Sequence, residues 1–405
     1  MKILVLAGGS DQAALIDELH RQGQNEVILV DYFENPPAKP HCDRHIVAST
    51  LDVDAVRRIA VEEKVDLITT ACTDQALLTV ARLSEELGLP CYISYATALN
   101  VTNKSYMKRV MAEHGIPTAR FRIAGGPEEA ALGDLDYPLV VKPADCNSSK
   151  GVRRAETREE AEKALAQALE LSRTHTAIVE EFKSGDELSA DLYIEGRTAK
   201  LLSVTVSEKR RNVSSFTITQ SRYPAVGTEE RDSITAIGQR IADAFGLTDT
   251  PLLVQMIRNA EGLWVIEFSA RMGGGTKYRI IELLSGVNIM RKYVELVLGG
   301  RPAVDPHPFE GSLRMNYVYC NPGTMAGLGG FEELKADGTI ADYVAYKNAG
   351  ATFEHSETSS DRAAGYLVTG ATEEEVLAKQ ERANSLLRVT DPEGNDIMRH
   401  DFKLF

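Results

Sequence analysis

Residues 252–275 read LLVQMIRNAEGLWVIEFSARMGGG, two apolar, β-prone runs on either side of Ala260-Glu261-Gly262. A three-residue loop with glycine at its left-handed position is a common hairpin connection. With that loop, Gln255 stands directly opposite Glu267. The period of two then puts Leu253, Gln255 and Ile257 on one face with Leu263, Val265, Glu267, Ser269 and Arg271. Val254, Met256, Trp264, Ile266 and Phe268 form the other face, which reads as core. A carboxylate and an amide thus face each other among aliphatic side chains. A buried, unpaired carboxylate is costly, so the pattern calls for a counter-charge: Arg271, or a hard cation such as Mg²⁺. The alternative is a half-exposed edge hairpin with Glu267 in water. Met272 and Gly273–Gly275 follow the strand at once, and successive glycines let a ligand come close to the backbone.

Composition narrows the class. The chain has 405 residues, 43% hydrophobic and 26% charged, as expected of a globular protein of two to four domains. A net charge of −14 disfavours nucleic-acid or acidic-membrane partners. The basic cluster Lys209-Arg210-Arg211 is short and reads as a solvated loop. Cys42, Cys72, Cys91, Cys146 and Cys320 are scattered with no CxxC pair, which argues for reduced thiols in a cytoplasm and against a disulfide framework or zinc site. No apolar run is long enough to span a membrane, and the N-terminal run is too short for a signal peptide.

Outward from the hairpin, the first 95 or so residues alternate strands and helices. The strands are Ile3–Leu6, Glu26–Asp31, Val65–Thr69 and Cys91–Ser94. The helices are Asp11–Arg21, Asp54–Lys64 and Thr73–Leu87. This is the pattern of a Rossmann-like parallel sheet. Gly8-Gly9-Ser10 opens a helix and suits an anion, but it is not the GxGxxG fingerprint of a nicotinamide site. Asn103-Lys104 begins a helix. Tyr137–Pro143 is an apolar strand ending in Lys142-Pro143. Asn147-Ser148-Ser149-Lys150-Gly151 is a small polar loop suited to phosphates. Glu156–Ser172 reads as a helix, Ala177–Phe182 as a strand, and Leu188–Ser207 as two strands around Glu195-Gly196. Thr228–Phe245 and Ile280–Leu298 read as helices. Pro302–Pro308 marks the start of a last segment with strands near Arg314–Tyr319 and Tyr366–Val368 and a helix at Glu373–Leu387.

The ordered set of Asn103-Lys104, Val141-Lys142-Pro143, the Ser/Gly loop, Val179-Glu180-Glu181-Phe182, Gly185-Asp186-Glu187, Gln255 and Glu267-Phe268-Ser269-Ala270-Arg271 resembles the ATP-grasp superfamily, and within it the carboxylate–amine ligases, amino-acid ligases and biotin-carboxylase-like enzymes among them. The resemblance implies a mixed α/β and α+β chain in three parts. A Rossmann-like domain spans about 1–100. A two-subdomain ATP-grasp domain spans about 101–300, with a small lid over about 118–184 and a larger subdomain over about 185–300. A small α+β segment spans 301–405. It further implies ATP held between the subdomains, with Lys104 and Lys142 on the phosphates, Ser148, Ser149 and Gly151 in the phosphate loop, and the backbone from Val179 through Glu181 and Phe182 to Lys183 on the adenine edge. Glu180 would accept from the adenine amino group and Glu187 would bind the ribose. Gln255, Glu267 and Ser269 would ligate Mg²⁺ or Mn²⁺, and Arg271 would sit near the γ-phosphate and the reacting carboxylate. Ser269 departs from the asparagine common in the family, which puts a second metal ion in doubt. A homodimer is a further family-level expectation.

The chemistry fits these residue types. A carboxylate is a poor electrophile until γ-phosphoryl transfer makes it an acyl phosphate, and that transfer needs positioning and charge neutralisation above all. The expectation is therefore an ADP-forming ligase joining a small, amino-acid-like carboxylate to an amine, with Lys142 and Arg271 as the catalytic pair. Gly273–Lys277, Arg279 and Arg314 are candidate binders of an acceptor carboxylate, and the resemblance implies that the turn at Gly8–Asp11 also lines the substrate site. Carboxyphosphate or carbamoyl-phosphate chemistry is the nearest alternative, and a non-catalytic ATP-binding protein the next.

Overall fold

A computed structural model describes residues 1–126, 132–146, 151–209, 217–354 and 358–401. The N-terminal unit is a parallel sheet in the order Arg44–Val47, Glu26–Asp31, Lys2–Leu6, Leu67–Thr69. Its inner strands Lys2–Leu6, Glu26–Asp31 and Leu67–Thr69 are largely apolar on both faces and buried, as parallel strands covered by helices must be, while the edge strand Arg44–Val47 is partly exposed. The helices are Ser10–Arg21, Val53–Glu63 and Asp74–Leu87. Cys91–Ser94, read above as a further strand, pairs with nothing; it is the short connection into helix Tyr95–Thr102, which Ser94 N-caps. A run of four residues with an isoleucine at its centre is too short for periodicity to separate strand from linker.

A small antiparallel sheet follows, in the order Phe121–Ala124, Ala177–Glu181, Leu139–Pro143, Arg153–Ala155, backed by helix Arg158–Leu171. Its own core is Leu139, Val141, Ala155, Leu165 and Val179 with their neighbours, separate from the others, so it forms a lid. The third layer is an eight-stranded sheet. It runs Gly262–Ser269, Thr250–Asn259, Asp186–Glu195, Thr198–Lys209, Ile218–Tyr223, Ser312–Val318, Ala364–Gly370, Asp342–Ala345. The last three strands come from the C-terminal segment, which therefore extends the same sheet. Helix Thr228–Phe245 covers one face through Ile234, Ile237 and Ile241. The predicted helix over Ile280–Leu298 is two helices, Lys277–Ser285 and Ile289–Val297. Gly286 takes a left-handed C-cap at φ 71° and Asn288 caps the second helix, a break that apolar periodicity alone passes over. Tyr293 on the second of these helices donates to the Thr70 carbonyl at 2.6 Å and ties the N-terminal sheet to the rest.

The hairpin holds the decisive detail. Gln255 pairs with Glu267 as expected, but the turn is tighter, with Asn259 opposite Gly262. The register shift between Gln255 and Met256 makes up the difference: Met256 faces Val265, leaving Ile266 as the extra residue of a bulge. Beyond the bulge the faces exchange. Val265 joins the core with Val254, Met256 and Phe268, while Trp264 and Ile266, expected in the core, line the cleft between lid and sheet. Among the described residues no helix is long and apolar enough to cross a membrane.

The lid joins the large sheet through Phe182–Gly185. Gly185 has φ 150°, and a Cβ there would strike the Arg258 carbonyl. Gly185→Ala is expected to destabilise by on the order of 1–3 kcal/mol. Urea unfolding of the variant beside wild type checks this; an unchanged midpoint would show that the two strands part readily.

Candidate active site

One cleft of about 2950 Å³ runs between the lid, the large sheet and the N-terminal unit. That is room for a nucleotide and a second small molecule. Its floor is the hairpin. Glu267 is half-buried, with its carboxylate 3.5 Å from Lys104 Nζ. Lys104 opens the helix Lys104–Glu113 just after the N-cap Asn103, and also donates to the Cys146 carbonyl at 2.9 Å. Gln255 makes no side-chain hydrogen bond among the described residues. An amide and a carboxylate oxygen thus face the cleft together, a donor set that fits a hard divalent cation. Among the described residues no group of three His, Cys, Asp or Glu is assembled, so phosphate oxygens and water would complete such an ion's shell.

On the lid side a buried glutamate lies between two lysines. Lys142 Nζ is 2.5 Å from Glu180 Oε1, and Lys108 Nζ is 2.5 Å from Glu180 Oε2. All three are at most 6% exposed. Burial alone would raise the Glu180 carboxyl, but the two ammonium groups outweigh it and hold the pKa at about 2. Lys108 also donates to Thr118 Oγ1 at 2.6 Å, and Thr118 to the Val265 carbonyl at 2.9 Å, which ties the triad to the bulged strand. Lys108, one helical turn beyond Lys104, is missing from the sequence reading although that i, i+4 spacing signals it. Glu180 was read as an acceptor for an amino group. In this structure its two carboxylate oxygens lie against two buried ammonium groups that would otherwise be unpaired.

The lid-to-sheet connection is similarly committed. Glu181 pairs with Arg120 at 2.9 Å, and its amide donates to the Arg120 carbonyl. The Phe182 amide donates to the Pro138 carbonyl, and the Phe182 ring lies under the Arg154 guanidinium at 4.2 Å. Lys183 sits over the Trp264 ring at 4.3 Å and pairs with Glu261. Glu187 faces the cleft and pairs with Lys209. Gly151 is held at φ 75° against Pro143 and Leu171. Ser148 and Ser149, with Asn147 and Lys150, lie outside the described residues, as do Arg210 and Arg211.

At the far end of the cleft, Arg271 was a possible partner for Glu267. It pairs instead with Asp74 of the N-terminal unit, and Lys104 takes the place beside Glu267. Ser269 lies beside the same Asp74 carboxylate. The expected acceptor cations are largely neutralised. Lys277 pairs with Asp191 at 3.4 Å and donates to Thr205. Arg279 pairs with Asp342 on the surface, and Arg314 with Glu373 and Gln220. Asp11, at the end of the Gly8–Asp11 turn, stands there as expected, together with Arg362, which the sequence did not single out. Asp11 accepts the amides of Gly275 and Thr276 at 3.2 Å each. Arg362, buried, stacks on the Tyr317 ring at 3.5 Å and donates to Tyr319, with no carboxylate at ion-pair distance among the described residues. Arg362 is brought in by tertiary packing and carries no local signal.

The chain was compared with known proteins. Residues 102–275 match the family described as phosphoribosylglycinamide synthetase, ATP-grasp (A) domain. A phosphoribosylamine–glycine ligase of Leifsonia xyli is 30% identical over 292 residues, covering 67% of this chain and 68% of that protein. A formate-dependent phosphoribosylglycinamide formyltransferase of Ignicoccus hospitalis is 31% identical over 238 residues, 56% of this chain but only 58% of that protein. The crystal structure of an L-amino acid ligase from Bacillus licheniformis superimposes with a TM-score of 0.80 at 21% identity, covering 96% of this chain and 98% of that one.

Glu180→Gln would remove the one carboxylate that Lys108 and Lys142 share. It is expected to lower stability by about 3–5 kcal/mol at pH 7. The folded carboxyl lies at about 2, below its ordinary 4.5, so its ionisation stabilises above about pH 4.5. The gap between wild type and variant should therefore shrink as pH falls from 4.5 toward 2. Denaturant titration across that range checks it, and a pH-independent gap would contradict the ionised triad.

Proposed function

The chain belongs to the ATP-grasp superfamily, and on that footing we propose that it is an ADP-forming ligase that joins a small, amino-acid-like carboxylate to an amine through an acyl phosphate. The observation that carries this reading is the Gln255–Glu267 pair, facing one cleft with Lys104, Lys142 and Arg271. ATP brings about four negative charges and the carboxylate one more, and the reaction needs these held together without water. Lys142, positioned by Glu180, and Lys104, beside Glu267, are the ammonium groups for the phosphates. Lys183, Trp264 and the Phe182 ring offer a mixed apolar and cationic wall for a base, and Glu187 lies where a ribose would rest. Gln255 and Glu267 would hold Mg²⁺, which when bound neutralises and polarises phosphate oxygens.

With the ATP end so assigned, the second substrate falls at the end lined by Asp11, Arg271 and Arg362. Arg362 supplies a buried positive charge for a carboxylate, and Asp11 a negative one for an amine. A pocket that presents both signs suits an amino-acid-like molecule better than bicarbonate alone. It is the specific observation that ranks amide ligation above carboxyphosphate chemistry here.

The reading predicts ADP and phosphate release from MgATP only when a carboxylate and an amine are both present, measured across a panel of amino acids, small carboxylates, amines and bicarbonate. Glu267→Ala and Lys142→Ala should each lower kcat by roughly 10²–10³-fold with circular dichroism unchanged. Turnover with bicarbonate alone would replace the reading with carboxyphosphate chemistry. AMP and pyrophosphate as products would overturn it.

A further inference from the structure

Asp74 belongs to the first turn of helix Asp74–Leu87 in the N-terminal unit, yet its carboxylate reaches the end of the hairpin strand of the large sheet. Arg271 Nε donates to Asp74 Oδ1 at 2.8 Å and Nη2 to Oδ2 at 2.5 Å, a bidentate pair along one edge of the guanidinium. Nη1 donates to the Met272 carbonyl at 2.7 Å. The two side chains are 14% and 16% exposed, so water does little to screen them. Burial would raise the Asp74 carboxyl, but the adjoining guanidinium outweighs it and keeps the group ionised.

A guanidinium has five N–H groups. Three are committed here, two to Asp74 and one to Met272. Two remain, one on Nη1 and one on Nη2, on an arginine that lines the cleft near Glu267. An arginine tethered along its Nε–Nη2 edge cannot rotate to offer that edge to a ligand; what it offers is fixed in place before any ligand arrives. From this we propose that Asp74 is a positioning residue. It holds Arg271 so that one N–H of each Nη is presented to the oxygens of the phosphoryl group in transfer. The N-terminal unit then completes the phosphoryl-transfer site from behind. The inference rests on the ligase reading above.

The test compares wild type with Asp74→Asn, Asp74→Ala and Asp74→Glu. Three quantities are measured by calorimetry: affinity for MgADP, affinity for MgADP with aluminium fluoride as a mimic of the transferring group, and melting temperature. Asp74→Asn and Asp74→Ala should bind MgADP within about twofold of wild type but lose roughly 10- to 100-fold in affinity for the aluminium fluoride complex, the scale of a misdirected charge-assisted hydrogen bond. Asp74→Glu should recover part of the loss. Arg271→Lys should lose as much, and Asp74→Asn/Arg271→Lys no more than either alone. Unchanged affinity for the mimic in Asp74→Asn and Asp74→Ala would overturn the inference. So would a parallel fall in melting temperature and in MgADP affinity, which marks a merely structural tie. Wild type that binds neither MgADP nor MgATP would instead sink the ligase reading itself, and this inference with it.

Discussion

The cleft gathers charges of both signs where little water reaches them, and nearly every one arrives with its opposite already attached. Glu180 answers Lys108 and Lys142. Glu267 answers Lys104, Glu187 answers Lys209, and Asp74 answers Arg271. This constraint governs the rest of the structure, because an uncompensated buried ammonium or carboxylate costs several kcal/mol. A site built to receive a polyanion must hold cations close together, and between ligands something must keep them from repelling one another. The buried glutamate of the lid does this for two lysines. Its link through Thr118 to Val265 passes the lid's geometry to the large sheet.

The bulge after Gln255 is the second device. Without it, Val265 would face the cleft and Trp264 the core. With it, the hairpin keeps its polar pair where the strand enters the site and turns an indole toward the lid connection, where Lys183 covers it. A single extra residue thus lets one strand serve the core at one end and the cleft at the other. The cores reflect the same economy of parts. The N-terminal sheet shares its packing with helices Lys277–Ser285 and Ile289–Val297, and the C-terminal strands continue the large sheet. The end of the cleft lined by Asp11, Arg271 and Arg362 therefore lies where three stretches of chain meet.

Family membership and geometry bear on different ends of that cleft. The similarity over residues 102–275 covers the nucleotide end, from Lys104 through Arg271. Asp11, Asp74 and Arg362 lie outside it. Relatives that share the fold carry names with different substrates, a phosphoribosylamine–glycine ligase and an L-amino acid ligase among them. The proposed second substrate is thus read from residues that the shared segment does not contain.

Local pattern was enough for what depends on neighbours along the chain. The alternation of strands and helices gave away the parallel sheet, and apolar periodicity placed helix Thr228–Phe245 to the residue. Two-residue periodicity and a glycine turn set Gln255 against Glu267, because strand pairing across a short turn is itself local. The reading failed where long-range packing overrode local preference: Cys91–Ser94 had no strand to pair with, and Gly286 broke a helix whose apolar face ran on. Partnership was least legible of all. Nothing near Asp74 in sequence signals Arg271, 197 residues away, nor anything near Arg362 the Tyr317 ring beneath it. Side-chain chemistry is written in the sequence, but which charge neutralises which is decided by the close packing of three layers, since only there do the distances become short enough, and the water scarce enough, for the choice to matter.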